Sequence, residues 1–297
     1  MKVAVIGAGA VGTLLGGLLG KKEQVTMVAR NGQLEGLRDG IRIEGLEDGR
    51  TGVKAVSSTS SLPIQDAVLI CVKAHDTVQA LQDSRRLIGP GTLLLVVQNG
   101  LDVLSVADRV GFARMNIGVA AMGVTYLGPG HVRYAGKGSI SVGNIAGKKG
   151  TAMRAVQLLR SAGMDSKVSE DILRDVWAKA AINAAVNPIT AIMGRPNGCI
   201  LESEELTLLS RRLFIEAVAV GKWWKAIGPD DVTFDDVKRV LKATTSNRSS
   251  MLQDMDRGRR TEIDAINGAI CRLAPMEEMV VANRAVHALI KGMEGKG

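Results

Sequence analysis

A glycine motif near the start of the chain restricts the fold more than any other feature of the sequence. The apolar run Lys2–Ile6 leads directly into this motif, and the small-residue segment Thr13–Gly20 follows it. The motif comprises Gly7, Ala8, Gly9, Ala10, Val11 and Gly12. In a strand–loop–helix unit, the first glycine permits a tight turn, the second admits a pyrophosphate, and the third lets helix and strand pack closely. We therefore expect a dinucleotide-binding loop at residues 7–12, with the phosphates at the helix N-terminus.

Strand-length apolar runs alternate with helix-compatible segments beyond the motif. The runs are Gln24–Ala29, Ala67–Val72 and Thr92–Val97. Unbroken apolar strands are typical of parallel sheets covered on both faces, and the alternation predicts a doubly wound sheet. We interpret the glycine-rich, charged stretch Asn31–Thr51 as hairpins or loops, and Asn116–Val142 as an antiparallel extension of the sheet.

The spacing of apolar residues becomes helical after about Ser169 and stays so almost to the end. The predicted fold class is therefore α/β, with an N-terminal Rossmann doubly wound sheet and an all-helical C-terminal domain. We place the dinucleotide-binding domain at residues 1–168 and the substrate domain at residues 169–297.

Composition excludes several classes of protein. The three cysteines and three histidines of the 297-residue chain share no ligand spacing, so no metal is expected. No apolar run approaches the roughly 20 residues that span a bilayer, and the start of the chain lacks the pattern of a signal peptide. The expected location is therefore the cytoplasm, without a membrane. The net charge of +8 comes without a recognition motif for nucleic acid, so it favours an anionic small molecule as ligand.

The end of the second predicted strand indicates which dinucleotide binds. An acidic residue at this place would bind the 2′-hydroxyl of NAD, whereas an arginine suits the 2′-phosphate of NADP. The chain has Arg30 there and no acid. We expect NADPH, with NAD as the alternative.

Two further polar residues follow buried strands. Lys73 comes after Ala67–Val72, and Asn99 comes shortly after Thr92–Val97. Ligands of doubly wound folds bind at the carboxyl ends of strands, although a lone polar loop residue there is equally often without a function.

A predicted helix that begins near Asp171 carries polar residues on its apolar side. Ile172 and Val176 start an apolar stripe, which continues at spacings of three and four through Lys179, Asn183 and Asn187. A buried lysine is costly unless it has a partner or a task. The alternative is a lysine at the edge of the stripe with its ammonium in water.

A second predicted helix supplies a partner of opposite charge. Ile266, Ile270 and Leu273 mark its inner face, and Glu262 precedes Ile266 by one helical turn on that face. Upstream, Asn247, Ser249 and Ser250 stand near a helix start, where such side chains either cap the helix or bind a carboxylate.

Four segments together resemble the ketopantoate reductases (2-dehydropantoate 2-reductases). Trp177–Asn183 and Asn187–Ala191 are similar to the family's WxKxxxN…NPxTA signature, and Ser249–Asp254 and Thr261–Gly268 to its SSMxQD…TEIDxxNG segment. The glycine loop, Lys73, Asn99-Gly100 and Tyr126–Gly130 fall in the family's order, so the resemblance covers nearly the whole chain. The sequence departs from the family at Leu273–Met279, which is shorter than usual.

The resemblance implies the NADPH-dependent reduction of ketopantoate to D-pantoate, on the way to pantothenate and coenzyme A, in a 6-phosphogluconate-dehydrogenase-like fold. It implies that Lys179 is the general acid and that Glu262 holds this lysine or binds a substrate hydroxyl. It implies that Lys73 and Asn99 line the nicotinamide side. The implied substrate-binding residues are Asn183, Asn187, Asn247, Ser250 and Asn99. A homodimer is the expected assembly.

Two other functions remain open from the sequence. One is a related reductase of another 2-keto or 3-hydroxy acid. The other is a non-catalytic NAD(P)-binding sensor, which would have no need to bury an acid and a base together. A nucleic-acid-binding role rests on the net charge alone and ranks last.

Overall fold

The computed structural model describes residues 1–112, 114–145 and 149–294. The chain divides into two compact units. The first comprises Met1–Gln98 and Val103–Ile172, and the second comprises Asn99–Asp102 and Leu173–Gly297. The short segment Asn99–Asp102 therefore belongs with the C-terminal helices, although its sequence follows a strand of the first unit.

The first unit is built on one sheet, to which the described residues contribute ten strands in the order β4-β3-β9-β8-β7-β6-β1-β2-β5, with β10 beside β9. The strands are β1 (Lys2–Ile6), β2 (Gln24–Val28), β3 (Ile41–Gly45), β4 (Gly49–Thr51), β5 (Lys54–Val56), β6 (Ala67–Ile70), β7 (Leu93–Val97), β8 (Asn116–Gly128), β9 (His131–Gly143) and β10 (Ser166–Val168). The strands from β5 to β8 along this order pair in parallel, as the unbroken apolar runs predict. The pairing of β8 with β9 is antiparallel, which confirms the predicted extension of the sheet.

Helices cover both faces of this sheet. They are α1 (Ala10–Gly20), α2 (Asn31–Leu37), α3 (Thr77–Asp83), α4 (Val103–Val110) and α5 (Lys149–Ser161). The sheet curls around α1, which contacts β1 and β2 and also the distant strands β3, β8 and β9. Small residues make this approach possible, because a Cβ on Gly16 would lie 2.4 Å from the sulfur of Met27.

The interpretation of Asn31–Thr51 as hairpins or loops is only partly right. Ile41–Gly45 and Gly49–Thr51 do form an antiparallel hairpin. Asn31–Leu37, however, is a helix. It is held by tertiary contacts that its sequence does not reveal, since its Gln33 donates hydrogen bonds to the Ala8 carbonyl (2.9 Å) and the Tyr126 hydroxyl (3.2 Å).

The second unit is helical throughout its described residues. Its helices are α6 (Ile172–Met193, of which Ile172 belongs to the first unit), α7 (Glu204–Trp223), α8 (Phe234–Ala243), α9 (Ser250–Met255), α10 (Asn267–Leu273) and α11 (Val281–Glu294). The longest, α6, contains Pro188. Proline has no N–H, so the carbonyl of Ala184 one turn earlier loses its helical partner.

A side chain from another helix replaces that missing donor. Asn267, at the start of α10, donates from Nδ2 to the Ala184 carbonyl (3.2 Å) and to Oδ1 of Asn283 (3.0 Å). Asn283 in turn donates to the carboxylate of Glu216 (2.9 Å), which also accepts from Arg212 (2.8 Å). One buried network therefore links α6, α10, α11 and α7 and fixes the position of α6.

The described residues lack the features of a membrane span and of a metal centre. Within the described ranges, no helix is long and apolar enough to cross a membrane. In the same residues, no group of three or more histidine, cysteine, aspartate or glutamate side chains is arranged to hold a metal ion.

Candidate functional site

The glycine loop has the geometry that its sequence predicts. Gly7 has φ +103°, a value that disfavours any other residue, and its N–H donates to the Val28 carbonyl (2.9 Å). A Cβ on Gly12 would lie 2.0 Å from the Gly7 carbonyl oxygen, so only glycine permits this contact between helix and strand. Gly9, by contrast, has open space where a Cβ would stand. No protein atom therefore requires a glycine at position 9. A glycine there fits a loop whose backbone a ligand approaches.

Charged residues stand at the carboxyl ends of the strands around this loop. Arg30 follows β2 and forms an ion pair with Asp76, with 2.6 Å between Nη2 and Oδ2. Lys73 follows β6 and precedes a short 3-10 helix, Ala74–Asp76. Basic residues at this edge fit a dinucleotide phosphate. The first unit thus has both the backbone and the charge to hold such a cofactor.

Three polar side chains lie along α6 in the second unit. Lys179, Asn183 and Asn187 are spaced four residues apart and share a face of the helix. Lys179 and Asn183 are partly buried, and Asn187 is buried. Neighbouring positions are filled by small or apolar residues such as Ala180 and Ala184, which lets α6 pack closely while it carries polar groups.

Glu262 lies in a turn, so its predicted position on a helix face is wrong. The helix α10 begins only at Asn267, because Ile266 has φ −104° and ψ −91°, outside the helical region. The turn is closed by hydrogen bonds from the N–H groups of Ala265 (3.0 Å) and Ile266 (3.1 Å) to the Glu262 carbonyl. Glu262 is nevertheless buried, as the predicted inner face requires.

The Asn99-Gly100 pair packs against this same turn. Asn99 donates from Nδ2 to Oε2 of Glu262 (2.9 Å), and the Leu101 N–H donates to the Ala265 carbonyl (2.9 Å). Gly100 has φ +91°, and a Cβ there would lie 2.4 Å from the Ala265 oxygen. The glycine is therefore required for Asn99 to reach the carboxylate.

The electrostatic surroundings of Lys179 suit an acid. Burial lowers the pKa of Lys179 from 10.5 to about 8, and the negative charge of Glu262 opposes part of this decrease. Lys179 makes no hydrogen bond or ion pair to any residue that the structure describes. With this pKa, the ammonium is mostly protonated at neutral pH and is a stronger acid than an ordinary lysine.

The start of α9 lies against α6. Ser249 caps α9 by accepting from the Leu252 N–H (3.1 Å), and its hydroxyl also accepts from Thr190 of α6 (2.7 Å). The capping alternative therefore holds for Ser249. Ser250 is the first residue of α9 and is exposed, and Asn247 is partly buried.

Several of these polar side chains make no hydrogen bond to another described residue. Over the described ranges, no hydrogen bond is made by the side chains of Asn183, Asn187, Asn247 and Ser250. Asn187 is only 6% exposed as a residue, and its amide is left to bind a ligand. The cysteines do not contribute chemistry of this kind, because burial raises the pKa of Cys71 to about 12 and keeps it a thiol.

Sequence reasoning missed two residues. Asp76 was not connected with Arg30, because nothing in the sequence signals that a residue beyond β6 reaches the end of β2. The role of Asn267 has an indirect signal in the sequence, because the proline at position 188 indicates that some donor must reach the Ala184 carbonyl.

The fold and these side chains define a class of protein. A doubly wound sheet with a dinucleotide loop, together with a helical unit that carries an acidic lysine, a carboxylate and unpaired amides, defines a nicotinamide-dependent reductase.

Comparison with known proteins makes the family explicit, and the chain belongs to the ketopantoate reductase family. The family model for ketopantoate reductase PanE/ApbA matches residues 3–147, and that for its C-terminal part matches residues 171–294. A 2-dehydropantoate 2-reductase of Archaeoglobus fulgidus is 35% identical over 99% of this chain and 98% of its own length.

Solved structures agree with this assignment. A PanE/ApbA family ketopantoate reductase from Ralstonia eutropha JMP134 superposes with a TM-score of 0.86 at 31% identity, covering 100% of this chain and 99% of its own. A D-mandelate dehydrogenase in complex with NADH and anilino(oxo)acetate has the same fold, with a TM-score of 0.90 at 22% identity over 99% of this chain and 98% of its own.

Proposed function

We propose that this protein catalyses the NADPH-dependent reduction of 2-dehydropantoate to D-pantoate. The observation that carries the proposal is a buried lysine of lowered pKa, Lys179, that lies within the electrostatic influence of the Glu262 carboxylate in a chain of the ketopantoate reductase family. Ketone reduction requires a proton donor at the carbonyl oxygen, and a lysine with a pKa near 8 is both protonated and able to release its proton at neutral pH.

The glycine loop and the residues beside it would hold the cofactor. The backbone of residues 7–12 and the N-terminus of α1 suit the pyrophosphate, while Arg30 and Lys73 suit phosphate charge. When bound, the nicotinamide supplies the hydride. The preference for NADPH rests on Arg30, whose side chain is 81% exposed at the end of β2.

Lys179 and Glu262 would share the acid–base task. Lys179 donates a hydrogen bond to the keto oxygen and then its proton, so that the alcohol forms without a free alkoxide. Glu262 keeps Lys179 protonated through its negative charge, and Asn99 fixes the orientation of that carboxylate by its 2.9 Å hydrogen bond. Asn99 thus acts as a positioning residue in addition to its predicted ligand contacts.

The remaining polar groups would recognise the other ends of the substrate. The amides of Asn183, Asn187 and Asn247 and the hydroxyl of Ser250 can each donate to a carboxylate or bind a hydroxyl. The two sequence domains, residues 1–168 and 169–297, would divide this work between cofactor and substrate. We further propose a cytoplasmic homodimer.

The decisive experiment measures NADPH oxidation by absorbance with 2-dehydropantoate as substrate. We expect rapid turnover at low substrate. The matched control is trimethylpyruvate, which keeps the keto acid and the quaternary carbon but lacks the terminal hydroxyl. We expect a loss of about 10²–10⁴ in kcat/KM with this control, because the polar side chains that bind the hydroxyl are left unpaired.

Two results would contradict the proposal. Equal kcat/KM with trimethylpyruvate would assign a different keto acid to this site. Tight binding of NADPH without turnover of any branched keto acid would favour a cofactor-binding sensor.

A further inference from the structure

Arg30, the proposed determinant of cofactor choice, already has an anionic neighbour. The Asp76 carboxylate lies 2.6 Å from its guanidinium. The two residues come from different elements: Arg30 follows β2 and Asp76 ends the 3-10 helix after β6. Since β1 lies between β2 and β6, the ion pair spans the carboxyl end of the strand that leads into the glycine loop.

This place is where the 2′-position of the adenine ribose distinguishes the two cofactors. An arginine there attracts a 2′-phosphate, whereas a carboxylate there repels it and accepts a hydrogen bond from a 2′-hydroxyl. The chain has both groups in contact. Arg30 alone would favour NADPH and Asp76 alone would favour NADH, so the two residues oppose each other in the choice of cofactor.

We infer that Asp76 is a cofactor-selectivity residue, whose carboxylate competes with the 2′-phosphate of NADPH for Arg30 and narrows the preference for NADPH over NADH. The inference rests on the proposed dinucleotide site. It predicts an enzyme that uses NADH appreciably, although an arginine stands at the position that suits NADPH.

A purely structural role does not account for Asp76. It occupies the position before α3 but its side chain makes no capping hydrogen bond to that helix. Its ion pair with Arg30 is open to solvent, with the side chains 81% and 37% exposed, and pairs of this kind contribute little to stability. One further side chain lies near the same carboxylate oxygen, since Nε2 of His75 is 3.7 Å from it.

The test is the binding of the two cofactors to the full-length Asp76→Asn variant. Dissociation constants for NADPH and NADH are measured by calorimetry without keto acid, so that a failure of the proposed reaction does not affect the result. We expect the ratio of the NADH to the NADPH dissociation constant to rise about tenfold, equivalent to about 1.4 kcal/mol. The control is Asp39→Asn, which removes an equal charge from another exposed pair with an arginine, 4.0 Å from Arg50. It should leave the ratio unchanged.

A second variant gives the mechanism of the effect. In an Arg30→Ala background, Asp76→Asn should change the ratio less than in the parent, because the competition for Arg30 is absent and only the direct effects of the carboxylate on the 2′-position are removed. The inference is overturned if Asp76→Asn leaves the ratio within twofold of the parent. It is also overturned if Asp76→Asn weakens NADPH binding as Arg30→Ala does, since Asp76 would then hold Arg30 in place for the phosphate.

Discussion

At the residue scale, the chemistry depends on the environment of Lys179. Two opposing effects act on its ammonium: burial disfavours the charge, and the Glu262 carboxylate favours it. Burial is the larger effect, and the pKa falls to about 8. An ordinary surface lysine is a much weaker acid at neutral pH, so burial turns a common side chain into a usable proton donor.

Replacement of Lys179 by alanine should lower kcat by about 10²–10⁴ while NADPH binding survives, because the lost proton donor lies in the helical unit and the cofactor loop in the other. Stopped-flow turnover and calorimetric binding measure the two effects separately. Near-normal turnover in this variant would remove Lys179 from the mechanism.

The same residue should set the upper limit of the pH range. Reduction requires protonated Lys179, so kcat/KM should fall as pH rises through about 8. Glu262→Gln removes the negative charge that raises the pKa of Lys179. In this variant kcat/KM should therefore begin to fall at a lower pH, whatever its maximal rate. A fall at the same pH in both enzymes would show that another group limits the alkaline range.

At the scale of elements, α6 depends on a hydrogen-bond donor from another helix, which replaces the N–H that its proline lacks. Pro188 leaves the Ala184 carbonyl without a helical donor, and the side chain of Asn267 supplies one at 3.2 Å. This helix carries Lys179, Asn183 and Asn187, so the hydrogen bond from Asn267 also stabilises the site.

Asn267→Ala should destabilise the protein by about 1–3 kcal/mol, because it leaves a buried carbonyl and the Asn283 amide oxygen without their donor. Urea unfolding measures this cost. The matched control is the same change in a Pro188→Ala background, where a backbone N–H is restored beside Ala184. The cost should be smaller there, and equal costs in the two backgrounds would mean that the hydrogen bond to Ala184 contributes nothing.

At the scale of the whole molecule, α7 exposes an apolar stripe that suits self-association. Leu208 (57% exposed), Ile215 (49%) and Trp223 (60%) recur along one side of this helix. Exposed apolar residues on one side of a helix suit contact with a second apolar surface. This stripe supports the proposed homodimer.

Light scattering after gel filtration should give twice the mass of the chain, and Ile215→Glu should give a monomer with the fold retained by circular dichroism. Exchange of another exposed apolar residue, Met153→Glu in the first unit, is the control and should leave the dimer intact. A parent protein that is monomeric at micromolar concentration would contradict the proposal.

Much of the fold followed from local sequence alone. The glycine loop, the parallel strands and the start of α6 obey short-range rules of backbone geometry and apolar spacing, which act within a few residues. For the same reason, the spacing of four residues correctly placed Lys179, Asn183 and Asn187 on one face of a helix. The family itself was recognisable from motifs in the second unit.

Contacts between distant segments were decided by the tertiary structure. Periodicity extended α10 back to Glu262, but the segment is a turn, tied to Asn99 and to Glu294 by hydrogen bonds across more than thirty residues of sequence. Asn31–Leu37 is a helix anchored by Gln33, which finds acceptors in the glycine loop and at Tyr126. Arg30 was read from the sequence as a phosphate ligand, and only the folded chain brings Asp76 to it. Local sequence determines which conformations a segment can adopt, whereas charge pairing and hydrogen bonding depend on which remote groups the fold brings within about 3 Å.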